Sequence, residues 1–183
     1  MIVAIAGPIG AGKSTFYEAF LAQTDLRYIN ADDIARSLRI DAYQAADIAE
    51  ALRHELVQQR ESVIFETVFS DPEGQKVTFL SSAAQQGYTV VLCFIGLDAA
   101  QMSDDRVAMR IAQAGTMCRQ TKVAARYPRS LETLARAIEQ LPHVWVYDNS
   151  DLARPFRKVL ECEAGKVAAR FEPMPEWVGP LAK

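Results

Sequence analysis

Between positions 7 and 15 the chain reads Gly7-Pro8-Ile9-Gly10-Ala11-Gly12-Lys13-Ser14-Thr15, which sets glycines, a lysine and two hydroxyl side chains side by side. Glycines let a backbone curl until successive N–H groups point inward, and a helix opening at the lysine adds the positive end of its dipole. The product is a cradle for a phosphate chain, and the Gly7 to Ser14 spacing is that of a phosphate-binding loop. In such a loop the lysine, here Lys13, reaches the β- and γ-phosphates and the hydroxyl of Ser14 helps to hold Mg²⁺. The expected ligands are therefore ATP and Mg²⁺, with residues 7–15 as the nucleotide-binding set.

Such a loop works only at the end of a buried strand, and the surrounding pattern supplies one. Residues 2–6 are an unbroken apolar run, and residues 14–23 have helical spacing. Further along, strands are expected at 26–30, 62–66, 88–95 and 143–147. Helices are expected at 41–60, at 72–86 closed by Gly87, at 98–114, and from a Ser130 cap to Gln140. In the 41–60 helix, Ala45, Ile48, Ala49, Leu52 and Leu56 form the expected buried stripe. The near-continuous apolar strands suit a parallel sheet covered on both faces. Residues 156–163 and 166–171, separated by Ala164-Gly165, read as a hairpin that extends or covers one sheet edge, followed by a proline-bearing end. The fold class expected is α/β of the P-loop NTPase type: a mainly parallel five-stranded sheet, helices on both faces, a C-terminal β-hairpin, and one domain over 1–183.

In an open parallel sheet the ligand crevice lies beyond the carboxyl ends of the strands, so polar residues there are the candidates for chemistry. The second strand runs into Asn30-Ala31-Asp32-Asp33, the third into Glu66-Thr67, the fifth into Asp148-Asn149-Ser150. An acid at Asp32 can accept a proton from an attacking hydroxyl, and Glu66 stands where an acid orients Mg²⁺ through water or holds the acceptor. The plainer reading makes Asn30 and Asp32 helix caps and Asp148-Asn149 a turn. Arg106, Arg110, Arg119, Arg126 and Arg129 crowd one stretch, and residues 106–129 have the placement of a mobile lid. Arginine's planar, permanent charge suits the γ-phosphate and the charge that develops during transfer. Pairing with Asp104 and Asp105 on a solvated helix face is the alternative.

Composition narrows the class. The formal net charge of −3 over 183 residues gives no basic footprint for general nucleic-acid binding. Cys93, Cys118 and Cys162 are too scattered for a disulfide framework or a metal site, so reduced thiols and a cytoplasmic setting are expected. The sequence enters its first strand with no charged leader, and no apolar run approaches the ~20 residues a bilayer demands. His54 and His143 have neither a triad partner nor metal spacing and are read as structural.

Taken together, Asn30-Ala31-Asp32-Asp33-Ile34-Ala35, Phe65-Glu66-Thr67-Val68-Phe69-Ser70, Gly87-Tyr88, Arg106-Val107-Ala108-Met109-Arg110, Arg126-Tyr127-Pro128-Arg129-Ser130-Leu131 and Tyr147-Asp148-Asn149-Ser150 resemble the zeta-toxin-like P-loop kinases over nearly the whole chain. The well-understood toxins of that family phosphorylate the sugar of UDP-N-acetylglucosamine with ATP. The resemblance implies Asp32 as base, Asn30, Glu66, Thr67 and Arg106 near the acceptor, Lys13, Arg110 and Arg126 around the transferring phosphate, and a separate antitoxin chain as partner. One stretch departs. Relatives carry Gly-Gly-His-x-Val-Pro where this chain has Ala114-Gly115-Thr116-Met117-Cys118-Arg119, which leaves the ATP chemistry intact and puts the acceptor in question. Another small acceptor, such as a sugar, nucleoside or antibiotic, and an ATP-binding switch acting through a protein partner are the alternatives.

Overall fold

The computed structural model describes residues 1–98 and 120–182, side chains excepted at 120–126. Seven strands form a single sheet: β1 (Ile2–Gly7), β2 (Arg27–Ile29), β3 (Val63–Val68), β4 (Val90–Gly96), β5 (His143–Asp148), β6 (Arg157–Glu163) and β7 (Lys166–Arg170). Their order is β2-β3-β1-β4-β5-β6-β7. The first five run parallel, whereas β6 and β7 are the expected hairpin, added antiparallel at the β5 edge. Helices α1 (Lys13–Phe20), α2 (Ala31–Leu38), α3 (Ala42–Gln58), α4 (Gln75–Gln85) and α5 (Gln120–Gln140) connect them, and a 3-10 turn (Glu176–Leu181) follows the hairpin.

Every residue of β1 is buried, because the strand is central and both its faces are covered. Alternation along the strands divides the core. Ile2, Ala4, Phe65, Leu92, Phe94, Val144 and Val146 face α3, α4 and α5, while Val3, Ile5, Ile64, Cys93 and Ile95 face α1 through Phe16 and Tyr17. Since β1 pairs with β3 on one side and β4 on the other, the loop leaving β1 emerges between two strand ends, the place where such sheets bind ligands. Among the described residues no helix is long and apolar enough to cross a membrane.

Three expectations are corrected. The helix expected to open at Ser130 is already formed at Gln120, the first described residue of that stretch, and carries Pro128 and a fully buried Ser130 inside it. Proline removes one i→i−4 hydrogen bond and reads as a boundary, but packing of Leu134, Ala137 and Ile138 on the sheet keeps the helix going. The helix expected from Pro72 starts at Gln75, because Asp71 to Gly74 form a turn in which Asp71 accepts bonds from Gly74 N (3.3 Å) and Lys76 N (3.1 Å). In α3 the buried face is rotated from the expected stripe: Ile48 and Leu52 are exposed at 37% and 43%, and Arg53 and Val57 are buried with Ala45, Ala49 and Leu56. Small alanines bring α3 close to the sheet, and the Arg53 side chain lies over Phe65. The helix expected at 98–114, with Arg106, Arg110, Arg119 and residues 114–119, lies outside the described residues, apart from Asp98. Of the lid expected at 106–129, residues 120–129 belong to α5, where the side chain of Arg126 is also outside the description.

Candidate active site

The phosphate loop is shaped by contacts that admit nothing larger than hydrogen at two glycines. A Cβ on Gly7 would sit 2.2 Å from the carbonyl oxygen of Ile95, and one on Gly12 would sit 2.7 Å from Nδ2 of Asn149. Both also have positive φ, 149° and 92°, where an L side chain is strained. Lys13 opens α1 and is buried; its ammonium donates to the carbonyl oxygens of Pro8 (3.0 Å) and Gly7 (3.3 Å), so the charge is held over the loop. The loop has the shape and the helix N-terminus that bind phosphates.

One residue further, the chemistry spreads onto β3 and β2. The Ser14 hydroxyl donates to Oε2 of Glu66 at 3.2 Å, and the Tyr28 hydroxyl donates to Oε1 of the same carboxylate. The Asn30 amide donates to the Tyr28 oxygen at 3.2 Å, while its own carbonyl oxygen accepts from Asp32 N at 2.8 Å and caps α2. Tyr28 is stacked flat on Tyr17 of α1, ring centroids 3.5 Å apart. Burial, with the Glu66 hydrogen bond second, pushes the Tyr28 hydroxyl far above its usual pKa, so it remains a donor to Glu66. A continuous chain of hydrogen bonds thus runs from the start of α1 to the start of α2.

The expected site residues separate accordingly. Lys13, Ser14, Glu66 and Asn30 are joined through this loop and network. Thr67 is buried beside Glu66. The Asp32 side chain is exposed at the first turn of α2, whereas Asp33 is half-buried and paired with Arg36 at 3.2 Å. Asn30 is both a cap and a member of the site, so the two sequence readings of that residue hold together. Ser14 and Glu66 offer a hydroxyl and a carboxylate, the hard oxygen donors that suit Mg²⁺, a cation that keeps several waters and needs few protein ligands.

On the other side of the loop lies a support built from the polar residues that follow the fifth strand, which the sequence offered either as site candidates or as a turn. The Asn149 amide donates to the Ala11 carbonyl at 2.9 Å, and Asn149 N donates to Gly96 O at 2.9 Å. Neighbouring Asp148 is buried and accepts from Ser150 Oγ (2.6 Å), Trp177 Nε1 (3.3 Å) and Arg157 (3.4 Å). Trp177 fills the space where Gly96 lacks a Cβ: an added atom would lie 2.1 Å from its ring. The Tyr127 hydroxyl donates to Leu97 O at 2.7 Å and ties α5 to the same strand end. Tyr17, Tyr28 and Trp177 were missed because their partners come from other elements, far off in sequence.

A Lys- and Ser-bearing loop leaving the central strand of a sheet ordered 2-3-1-4-5 defines a P-loop NTPase-like α/β fold. Residues 2–134 match the AAA domain family, and the chain belongs to it. A search of curated proteins found no match. Among solved structures, a chain of the AvrRxo1-ORF1:AvrRxo1-ORF2 complex with sulphate ions aligns at TM-score 0.67 and 13% identity, over 92% of this chain and 60% of that one. A chain of the PezAT toxin-antitoxin system of Streptococcus pneumoniae aligns at 0.55 and 14%, covering 88% of this chain and 70% of that one. A putative kinase from Chloroflexus aurantiacus aligns at 0.54 and 18%, covering 84% and 90%. At these identities the likeness shows the shared fold.

Proposed function

We propose that this protein is an ATP-dependent kinase of a small hydroxyl-bearing molecule, of the zeta-toxin type, with a nucleotide sugar such as UDP-N-acetylglucosamine as acceptor. The observation that carries the reading is the hydrogen-bonded path from the phosphate loop through Ser14, Glu66, Tyr28 and Asn30 to the helix turn bearing Asp32. The Asp32 carboxylate at its end is exposed and has no ion pair among the described residues, which supports the reading of Asp32 as general base. Kinases and a toxin-antitoxin chain among the structural neighbours support the same reading.

In this mechanism Lys13 and the loop N–H groups hold the β- and γ-phosphates, and Asp32 takes the proton of the acceptor hydroxyl as that oxygen attacks the γ-phosphorus in line. Ser14 and Glu66 are the residues that would hold Mg²⁺, which would supply neutralisation of phosphate charge. Glu66, Thr67, Asn30 and Arg106 orient the acceptor, and Arg110 and Arg126 meet the charge of the transition state. Inhibition by an antitoxin chain and a cytoplasmic setting belong to the same reading. The test is ATP consumption with product mass against nucleotide sugars, sugars and nucleosides, for the wild type and Lys13→Ala. Acceptor-dependent turnover that disappears in a folded Lys13→Ala protein is expected. Turnover retained by that variant, or phosphate release that ignores every acceptor, sinks the assignment.

A further inference from the structure

The rotation of α3 has a chemical product. Arg53 is 92% removed from solvent by its 8% exposure, yet its only ion-pair partner among the described residues is Glu50, 3.6 Å away and half-exposed. No described residue accepts a hydrogen bond from its guanidinium, which rests 5.0 Å above the Phe65 ring. Burial works against the charge, lowering the guanidinium pKa, with Glu50 opposing in part. The guanidinium nitrogens are not among the fully enclosed polar atoms, so the donors that the described residues leave unbonded open on accessible space.

Arg53 lines a cavity of about 480 Å³ between α3 and α4, within the range of small-molecule sites. Phe65, Phe79, Val57 and Ala83 give it apolar walls, and Lys76 adds a second cation. His54 stands edge-on to Phe79, centroids 4.8 Å apart, which holds that ring in place. The cavity is separate from the phosphate loop: Phe65 projects to the α3 and α4 side of β3, whereas the next residue, Glu66, bonds Ser14 of α1.

The geometry points to a second ligand site here, for a small organic anion whose carboxylate or phosphate docks on the Arg53 fork while a flat apolar body lies between the aromatic walls. Two donors of a planar guanidinium match two oxygens of either group, which is the contact Arg53 lacks among the described residues. The site stands independently of the proposed phosphotransfer.

The test is a titration of the ¹⁵N-labelled full chain, followed by amide resonances, with benzoate, phenyl phosphate and the neutral benzyl alcohol. Saturable shifts over residues 50–58 and 75–86 are expected for at least one anion, with the alcohol at least about tenfold weaker, the worth of a charge-assisted bidentate contact. Benzoate against phenyl phosphate decides which anion the site prefers. Arg53→Gln should weaken the anion about tenfold and leave the alcohol unchanged. Equal binding of anion and alcohol by the wild type overturns the site, and so do shifts confined to the phosphate loop. Because the first comparison needs no variant, it stands even if Arg53→Gln fails to fold.

Discussion

The two flanks of the phosphate loop are built from different material. Toward β3 and β2, the loop is joined to Glu66, Tyr28 and Asn30 by side chains that are half-buried or lie beside exposed ones, in a chain that ends at the exposed Asp32. Toward β4 and β5 it is joined to Asn149 and Asp148, both buried, which are in turn held by Ser150, Arg157 and Trp177. Both flanks are hydrogen-bonded, but the first ends in an exposed carboxylate whereas the second is closed by buried groups. On the proposed reading, chemistry belongs to the first and support to the second, and substitutions on the two sides should separate into effects on turnover and effects on binding and stability.

The largest effect is expected at Asp32. If its carboxylate is the base, Asp32→Asn should lower kcat by roughly 10²-fold or more while the KM for ATP stays nearly constant. Asp33→Asn should be mild, since the Asp33–Arg36 pair is an exposed i,i+3 contact. Kinetics of the two variants with the acceptor found in the screen decide between them. A larger loss at Asp33 would move the base by one residue, toward the half-buried carboxylate.

That the first flank was more legible in the sequence than the second has a physical cause. Gly7, Gly12, Lys13 and Ser14 announce themselves because a phosphate cradle needs those residue types at that local spacing, and Asp32 and Glu66 because they follow strands. The alternation of strands and helices likewise indicated the parallel sheet, and the Ala164-Gly165 break the hairpin, while the strand order came from the structure. Asn149, Trp177 and Arg53 act through contacts between distant elements. Trp177 is explained by Asp148 and by a glycine 81 positions earlier in the chain, Gly96, and no local pattern carries such pairings. The stripe of α3 failed for a related reason: helical spacing names an apolar face, but which side meets the sheet was settled by alanines and by Phe65 beneath Arg53. Pro128 misled because a local breaker was overridden by packing.

The second flank should respond in KM. Asn149→Ala removes the amide that holds Ala11 O, and Trp177→Phe keeps a ring over Gly96 but removes the donor to Asp148. A net hydrogen bond contributes about 1 kcal/mol, so the KM for ATP should rise on the order of fivefold in each, with kcat changed less than about twofold. A fall in kcat with KM unchanged in either variant would place that residue with the chemistry and end the division.

The smallest and most specific effect concerns two tyrosines, one on each flank. Tyr127 is pushed up to about 12, first by burial and then by the carboxylates of Asp98 and Asp148, and Tyr28 is raised by burial and by Glu66. A hydroxyl whose folded pKa lies above its unfolded value of about 10 contributes stability that is fully present below that pH and is lost as pH rises toward the folded value. Wild-type stability should therefore fall between about pH 10 and about 12 for Tyr127, and each Tyr→Phe variant, unable to ionise, should fall less steeply. At pH 8 the order is reversed, because Tyr127→Phe leaves Leu97 O without its partner at a cost of about 1 kcal/mol. Turnover distinguishes the pair: Tyr28→Phe loosens Glu66 beside Ser14 and should reduce kcat severalfold, whereas Tyr127→Phe should leave it unchanged. Urea midpoints at pH 8 and pH 10.5, with kcat at pH 8, measure all of this. Alkaline slopes identical to wild type would overturn the raised pKa values of the two hydroxyls, and equal losses of kcat in the two variants would show that the flanks are not divided between chemistry and support.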